Sequence, residues 1–413
     1  LALPLYNLAC KHDRQHTNTK GRLMLADPFD VAVIGAGVFG AWTAYRLQRA
    51  GAKVVLLDAY GPANSHASSG GESRIIRMSY GPDELYTRSA MRSLRLWQEL
   101  FNDMHCPRSE HSFESLFHRT GVLLLARDND SYAEATAATL ERSNVHFEKL
   151  DRNQLVNRYP QLELGPTTWG ILEPESGVLM ARRAVRALVA HTIELGTVYI
   201  NERVLAPPAR GKLESVRTRN RTIRAEKFVF ACGPWLPKIF PELLGEVIHV
   251  TRQEVFFLGV PAGSALFAPP NLPVWIDFND LVYAIPNVDD RGFKIAIDTH
   301  GPDFDPDTGD RLVTTEGAIA IRNYLTARVP ALKDSPIMET RVCQYENTSN
   351  GDFLIDVHPD VPNLWLVGGG SGHGFKHGPA VGEYVAGRIS GEVEVQPRFT
   401  LATKANYRRR EVY

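Results

Sequence analysis

Residues 30–58 read DVAVIGAGVFGAWTAYRLQRAGAKVVLLD, and this stretch restricts the fold more than any other in the chain. Asp30 to Ile34 is a short apolar run with β-branched residues and predicts a parallel strand. Gly35, Gly37 and Gly40 follow at once with the G-x-G-x-x-G spacing. Helical periodicity runs from Ala41 to Ala50, Gly51 ends it, and Lys53 to Leu57 predicts the next strand. Together these form a βαβ unit shaped to hold a dinucleotide. Gly35 permits the tight turn, Gly37 lets a pyrophosphate approach the backbone, and Gly40 lets helix and strand pack. The phosphates then meet the amino end of the helix. Asp58 suits a ribose hydroxyl. The pattern does not choose between FAD and a nicotinamide.

A chain of 413 residues is long enough for two or three domains. Its net charge of −1 supplies no basic surface for nucleic acid. No apolar run reaches the length of a membrane span. Neither nucleic acid nor membrane is therefore an expected partner. Cys10, Cys106, Cys232 and Cys343 lie far apart, with neither metal-ligand spacing nor a disulfide framework. This predicts a reducing compartment, the cytoplasm. Residues 1–28 read as an N-terminal extension, without the basic-then-apolar order of a secretory signal. Its sparse histidines and Cys10 do not predict a metal site.

Beyond Asp58, the loop AYGPANSHASSGGESR is too small and polar for core, and suits the ligand crevice at the carboxyl end of a strand. Arg74 and Arg77 are three apart; if helical they share a face, and otherwise they are two solvated arginines. Leu85 to Phe101 predicts an amphipathic helix with Tyr86, Ala90, Leu94 and Trp97 on one stripe. A strand is expected within 113–126 and a helix over 130–142. Residues 151–176, with Pro160, Pro166 and Pro174, read as irregular, and Gly177 opens a helical pattern. Short strands follow around 198–204, 212–218 and 222–231. Residues 248–300 hold short β-patterned runs joined by polar turns, a largely antiparallel sheet. Residues 312–328 predict a helix; GDFLID and NLWLVGGG lead a strand into glycines, and PAVGEYVAGRIS predicts the helix after it.

The expected fold is α/β: a Rossmann-like cofactor domain with an inserted substrate domain on a mostly antiparallel sheet. The cofactor domain is discontinuous, over 29–112, 175–245 and 340–392. The substrate domain takes 113–174 and 246–339, and 393–413 form a tail.

Three stretches carry candidate chemistry. In GFKIAID, Phe293, Ile295 and Ile297 form one face of a strand, and Lys294, Ala296 and Asp298 the other. Lys294 is then either a surface residue on a half-solvated edge or a cation over a ligand, with Tyr283 reaching it across a hairpin. Cys343 is either a buried small hydrophobe or a functional thiol without an activating histidine. GGGSGHGFKHGP, from Gly368 to Pro379, exposes backbone N–H groups that can hold an anionic or carbonyl-like edge, with Lys376 as a nearby cation. His373 and His377 are four apart, but the glycines argue against a regular helix and a metal pair, and no metal is expected.

GAGVFG, SRIIRMSYG, LVYAIP with GFKIAIDTHGPDFDPDT, RVCQYENTSNGDFLID and GGGSGHGFKHGPAVGE occur in that order. From about residue 28 onward, the chain resembles the monomeric sarcosine oxidase family of flavin amine oxidases, whose relatives include N-methyltryptophan, pipecolate and fructosyl-amino-acid oxidases. The resemblance implies FAD, attached covalently through the sulfur of Cys343. It implies that Lys294 activates dioxygen, a role that suits a cation because negative charge develops on O2 during reduction. Arg77 and Lys376 match the pair that holds a substrate carboxylate, and Tyr283 a pocket tyrosine. Ser73 and Arg74 fall beside the flavin, as do Gly372 and Gly374 in the turn before Lys376.

The implied reaction converts a carboxylate-bearing secondary amine to an imine, which water hydrolyses, with hydrogen peroxide formed from O2. The implied partners are a small amine and O2, and the implied state is a monomer. Two positions depart from the family. Asp298 stands where sarcosine oxidase has a histidine facing the substrate, and could pair with Lys294 or with a cationic part of a substrate. Gly70 stands where it has a histidine near the flavin. Both predict a larger or more decorated amine than sarcosine. Competing readings are a flavin dehydrogenase with another acceptor, and a non-catalytic flavin-binding protein.

Overall fold

The computed structural model describes residues 28–104, 116–208 and 210–405, with the backbone pairs His16–Thr17 and Leu23–Met24 ahead of them. Cys10, Cys106, most of the N-terminal extension and the end of the tail lie outside the described residues.

Phe29–Ile34 (β1) buries every side chain but Asp30, as a parallel strand covered on both faces does. Val38–Arg49 (α1) crosses back over the sheet to Val54–Leu57 (β2), which pairs parallel with β1. The parallel layer runs Val361–Gly368, Arg221–Phe230, β1, β2, Val198–Ile200. Leu354–His358 closes one edge antiparallel. Trp42 and Tyr45 of α1 are buried in the core beneath it, among the helices that flank this sheet.

Arg74–Ile76 (β3) leaves the dinucleotide region and pairs antiparallel with Gly177–Leu179. Glu84–Asp103 (α2) follows, capped by the Asp83 side chain, which accepts from the Leu85 amide. Tyr86, Ala90, Leu94 and Trp97 are its buried stripe, as predicted.

The second sheet has eight strands in the order 337–348, 248–258, 293–297, 282–285, 274–277, 122–126, 169–173, 148–151. All its pairings are antiparallel except that between 274–277 and 122–126. The strand that carries Lys294, Phe293–Ile297 (β4), sits third. The edge strand Ile337–Thr348 (β5) pairs along nearly its whole length with Ile248–Leu258. Gly378–Ser390 (α3) returns to pack on α1 and α2. The protein is thus the expected α/β fold, a Rossmann-like layer joined to a mostly antiparallel sheet.

Three local expectations are corrected. Residues 151–176 are ordered: Asp151 and Gln154 make a capping box that starts a helix at Arg152–Arg158, and Trp169–Glu173 is a strand. Gly177 opens a strand, and the helix waits until Ala181, because Gly177–Leu179 is drawn into pairing with β3. Arg74 is on a strand rather than a helix, so the three-residue spacing to Arg77 does not give a shared helical face. Residues 340–348 lie on β5, which runs unbroken to the turn Thr348–Gly351. Among the described residues no helix is long and apolar enough to cross a membrane.

Candidate active site

The loop after β1 is locked by backbone bonds. The Gly35 amide donates to the Leu57 carbonyl, and Ala36 N donates to Asp58 Oδ2 at 2.7 Å. Asp58 Oδ1 accepts from Tyr60 N and Gly61 N at 2.9 and 2.8 Å. Burial raises the Asp58 carboxyl against the pull of these three amides. Gly35 has φ +107°, and a Cβ there would lie 2.3 Å from the Ala231 carbonyl oxygen. A Cβ at Gly40 would lie 1.9 Å from the Gly35 carbonyl oxygen, so this glycine closes the turn on itself. Gly37 is different: a Cβ there would meet nothing nearer than Ser69 Oγ at 3.5 Å. The protein's own packing therefore does not require glycine at 37, and the room left there opens into a cavity.

That cavity runs along the carboxyl ends of β1, β2 and Arg221–Phe230, where open α/β sheets bind ligands. Gly35, Gly37, Asp58 and Gly374 line it. Glu346 also lines it: its Oε1 accepts from Gly370 N at 3.2 Å, the Gly369 amide also favours its charged form, and Oε2 is buried with no hydrogen bond of good geometry among the described residues. Burial raises this carboxyl to about 7. A buried oxygen short of a well-placed donor, beside a turn with room kept open at Gly37, fits a hydroxyl-rich dinucleotide such as FAD.

A second cavity adjoins the first. Arg74, Cys343, Tyr345, Gly372 and Phe375 line both, so they mark the junction. Arg74 Nη2 donates to the Ser68 carbonyl at 2.6 Å and to Cys343 Sγ at 3.4 Å. Lys294, Tyr283, Asp298, Arg77 and Lys376 line the second cavity.

Three cations there are nearly inaccessible: Lys294 is 3% exposed, Arg77 5% and Lys376 5%. None is ion-paired with a carboxylate among the described residues. Lys294 Nζ donates to the Ser73 carbonyl at 3.0 Å, and lies 5.7 Å from the centre of the Tyr283 ring. Burial, reinforced by Arg74, lowers its ammonium to about 7. Arg77 stacks over Tyr80 and Phe278, 4.7 and 5.1 Å from their ring centres. Lys376 Nζ donates to the Tyr80 hydroxyl at 2.8 Å and the His373 carbonyl at 3.1 Å, and burial lowers its ammonium. Glu173 pairs with none of them; its oxygens accept from Met78 N, Ser79 N and Ser176 Oγ.

Asp298 does not pair with Lys294. It accepts from the Tyr345 hydroxyl at 2.6 Å, and burial still raises it to about 6. Gly70 could carry no side chain, since a Cβ would lie 1.8 Å from the Asn64 carbonyl oxygen. Ser73 and Gly40 line neither cavity; Ser73 tethers Lys294 instead. Sequence reasoning missed Glu346, Tyr345 and Tyr80. The available signal was a tyrosine two residues and a glutamate three residues after Cys343 on one strand, too common a pattern to stand out alone.

A glycine-turn dinucleotide cradle opening into a pocket of buried cations defines a flavin-type oxidoreductase. The FAD dependent oxidoreductase family model matches residues 30–388, and the chain belongs to that family, among its sarcosine oxidase-like amine oxidases. It is 30% identical to a monomeric sarcosine oxidase from Bacillus sp. (strain NS-129), over 87% of this chain and 92% of the relative. It is 28% identical to an N-methyl-L-tryptophan oxidase from Salmonella heidelberg (strain SL476), over 90% and 97%. The fold is also that of an L-proline dehydrogenase from P. horikoshii, with a TM-score of 0.78 at 21% identity, over 91% of this chain and 98% of the other.

Proposed function

We propose that the protein oxidises a secondary amine or N-substituted amino acid bearing a carboxylate, and passes the electrons to O2. When bound, FAD supplies the two-electron acceptor, so that the amine leaves as an imine for hydrolysis and O2 leaves as hydrogen peroxide. The observation that carries this reading is the pair Arg77 and Lys376, a buried arginine and a buried lysine on one cavity wall, neither ion-paired with a carboxylate among the described residues. The unpaired buried charge of Arg77 is unfavourable, and an entering carboxylate relieves it and favours the charged form of Lys376.

The other residues take roles consistent with their places. Gly35, Gly37 and Asp58 would hold the ADP half of FAD, and Glu346 a hydroxyl farther along. Cys343, at the junction of the cavities, would bind the flavin ring covalently through Sγ, with Arg74, Gly372 and Gly374 beside it. Lys294, tethered by Ser73, would serve dioxygen. Tyr283 and Asp298 would shape the amine side, and Asp298 favours a substrate with a donor or cationic group beyond the amine. The parallel layer would then be the cofactor part and the antiparallel sheet the substrate part. The chain would act as a monomer on a small amine.

The test is anaerobic mixing of the yellow holoenzyme with N-methyl, cyclic and glycated amino acids. A substrate bleaches the flavin, and admitting air restores the colour with formation of peroxide. Lys294→Met should slow that recovery about a hundredfold or more while leaving bleaching nearly intact. Bleaching without rapid recovery would make the protein a dehydrogenase. No bleaching by any carboxylate-bearing amine would sink the reading.

A further inference from the structure

Lys376 stands at one end of an unbroken line of hydrogen-bonding groups. Its Nζ is 2.8 Å from the Tyr80 hydroxyl, and that oxygen is 2.7 Å from His377 Nε2. His377 Nδ1 is in turn 2.8 Å from Ser89 Oγ on α2. Lys376, Tyr80 and His377 are buried, whereas Ser89 is half-buried near the seam between α2 and α3. His377 is enclosed by the rings of Tyr80, Tyr86 and Phe353. His373 is a side branch. Its Nδ1 lies 3.1 Å from the Tyr80 oxygen, but its Nε2 is held on the Gly351 carbonyl at 3.1 Å.

We propose that Ser89, His377 and Tyr80 form a proton relay that charges Lys376 from solvent as a substrate carboxylate seats beside Arg77. This rests on the reading of Arg77 and Lys376 as the carboxylate site. Before transfer, Ser89 O–H donates to His377 Nδ1, His377 Nε2–H donates to Tyr80, and the Tyr80 hydrogen, which otherwise meets His373 Nδ1, turns to the neutral Lys376 amine. A solvent proton joins Ser89 Oγ as the serine hydrogen passes to Nδ1. The Nε2 hydrogen passes to the Tyr80 oxygen, and the Tyr80 hydrogen passes to Nζ. One solvent proton is consumed and one ammonium forms. Ser89, His377 and Tyr80 each end neutral, with every hydrogen bond reversed and no heavy atom moved.

The surroundings suit such a device. Lys376 faces Arg77, which disfavours its charge, and Asp298 and Glu173, which favour it; burial is the largest influence and keeps the proton off. His377 faces Lys376, His373 and Arg77, and burial first, then any positive charge on these neighbours, keeps the imidazole neutral. Burial likewise keeps the Tyr80 phenol protonated. An anion entering the cavity reverses the preference at Lys376 and also covers the direct path from solvent. The relay supplies the proton from the opposite side.

The holoenzyme is mixed with acetate at about pH 8, where a free lysine would be charged, in weak buffer containing a pH indicator. Flavin absorbance reports anion binding, and the indicator reports proton uptake. The wild type should take up protons in step with acetate binding, and neutral acetamide should cause no uptake. In His377→Gln, which can hydrogen-bond both neighbours but cannot exchange tautomers, acetate should still bind, and uptake should lag about a hundredfold. Ser89→Ala, a milder change at a half-buried position, should delay uptake about tenfold. Uptake in step with binding in both variants would overturn the relay. So would acetate binding to the wild type with no uptake, because Lys376 would then be charged already. If Lys376→Met binds acetate as well as the wild type does, the carboxylate reading fails and the relay falls with it.

Discussion

Asp298 gives the site a pH signature that a single substitution can test. Tyr345 donates to it at 2.6 Å, yet burial outweighs that bond and raises the carboxyl from 3.8 to about 6. The folded chain therefore holds this proton over a window in which the unfolded chain has lost it. Stability contributed by the protonated group falls as pH rises from about 4 to about 6, and the penalty of the buried anion is complete above that. Asp298→Asn removes the charge and keeps an acceptor for Tyr345. Its melting temperature should exceed that of the wild type by about 2 °C at neutral pH, with the gap closing below about pH 4. A gap that stays constant across pH would show that the Asp298 charge is not what burial opposes. The alternation that puts Lys294, Ala296 and Asp298 on one face was legible in GFKIAID. The partner was not, because Tyr345 comes from another strand 47 residues on, and local pattern does not encode which tyrosine arrives.

At the scale of elements, the β1–α1 turn separates glycines that serve the chain from one that serves a ligand. Gly35→Ala forces a side chain into φ +107° and against the Ala231 carbonyl, and should destabilise the protein by about 1–3 kcal/mol or more. Gly37→Leu meets no such barrier, and protein made without flavin should melt within about 2 °C of the wild type. Its flavin content should nevertheless fall to near zero. Retention of flavin by Gly37→Leu would refute the reading of position 37 as the cradle.

This unit was legible because strand, turn, helix and strand are all local. So was the stripe of α2, whose period is set within a few turns. Residues 151–176 were not legible as structure. The helix at Arg152–Arg158 buries a single leucine, Leu155, and owes its start to a capping box, while three prolines obscure the strand that follows. The strand state of Arg74 depends on Gly177–Leu179, a hundred residues away, and propensity within SRIIRMSYG cannot anticipate that pairing. The candidate site shares this limit. Its cations could be named one by one from motifs, but Lys376 and Tyr80 are joined across 296 residues, and only the fold brings them together.

The two sheets are held to one another where the cofactor cavity opens. Asp307 belongs to the segment between β4 and the helix Thr315–Arg328, on the antiparallel side. Its carboxylate accepts from Tyr60 Oη at 2.9 Å, Trp235 Nε1 at 3.0 Å and Arg203 Nη2 at 3.0 Å, and it pairs with Lys238 at 2.7 Å. Tyr60, Arg203 and Trp235 each follow the carboxyl end of a different parallel strand, and all line the same cavity. One carboxylate therefore straps the inserted segment across the crevice. Burial would raise that carboxyl, but the donors outweigh it and hold it well below the ordinary value. Its contribution to stability is present above the ordinary carboxylate range and is lost as pH falls through the depressed value. Asp307→Ala strands several donors at once, each worth about 1 kcal/mol or more where water cannot replace the partner. If the proposed link through Cys343 holds, the wild type should stay yellow on denaturation and Cys343→Ser protein should give up all its colour, and the strap is best tested in that variant. In that background, Asp307→Ala should release flavin about tenfold faster, because the segment that covers the cavity is no longer tied to the three loops beneath it. Equal release rates would mean that the strap joins the sheets without holding the cofactor.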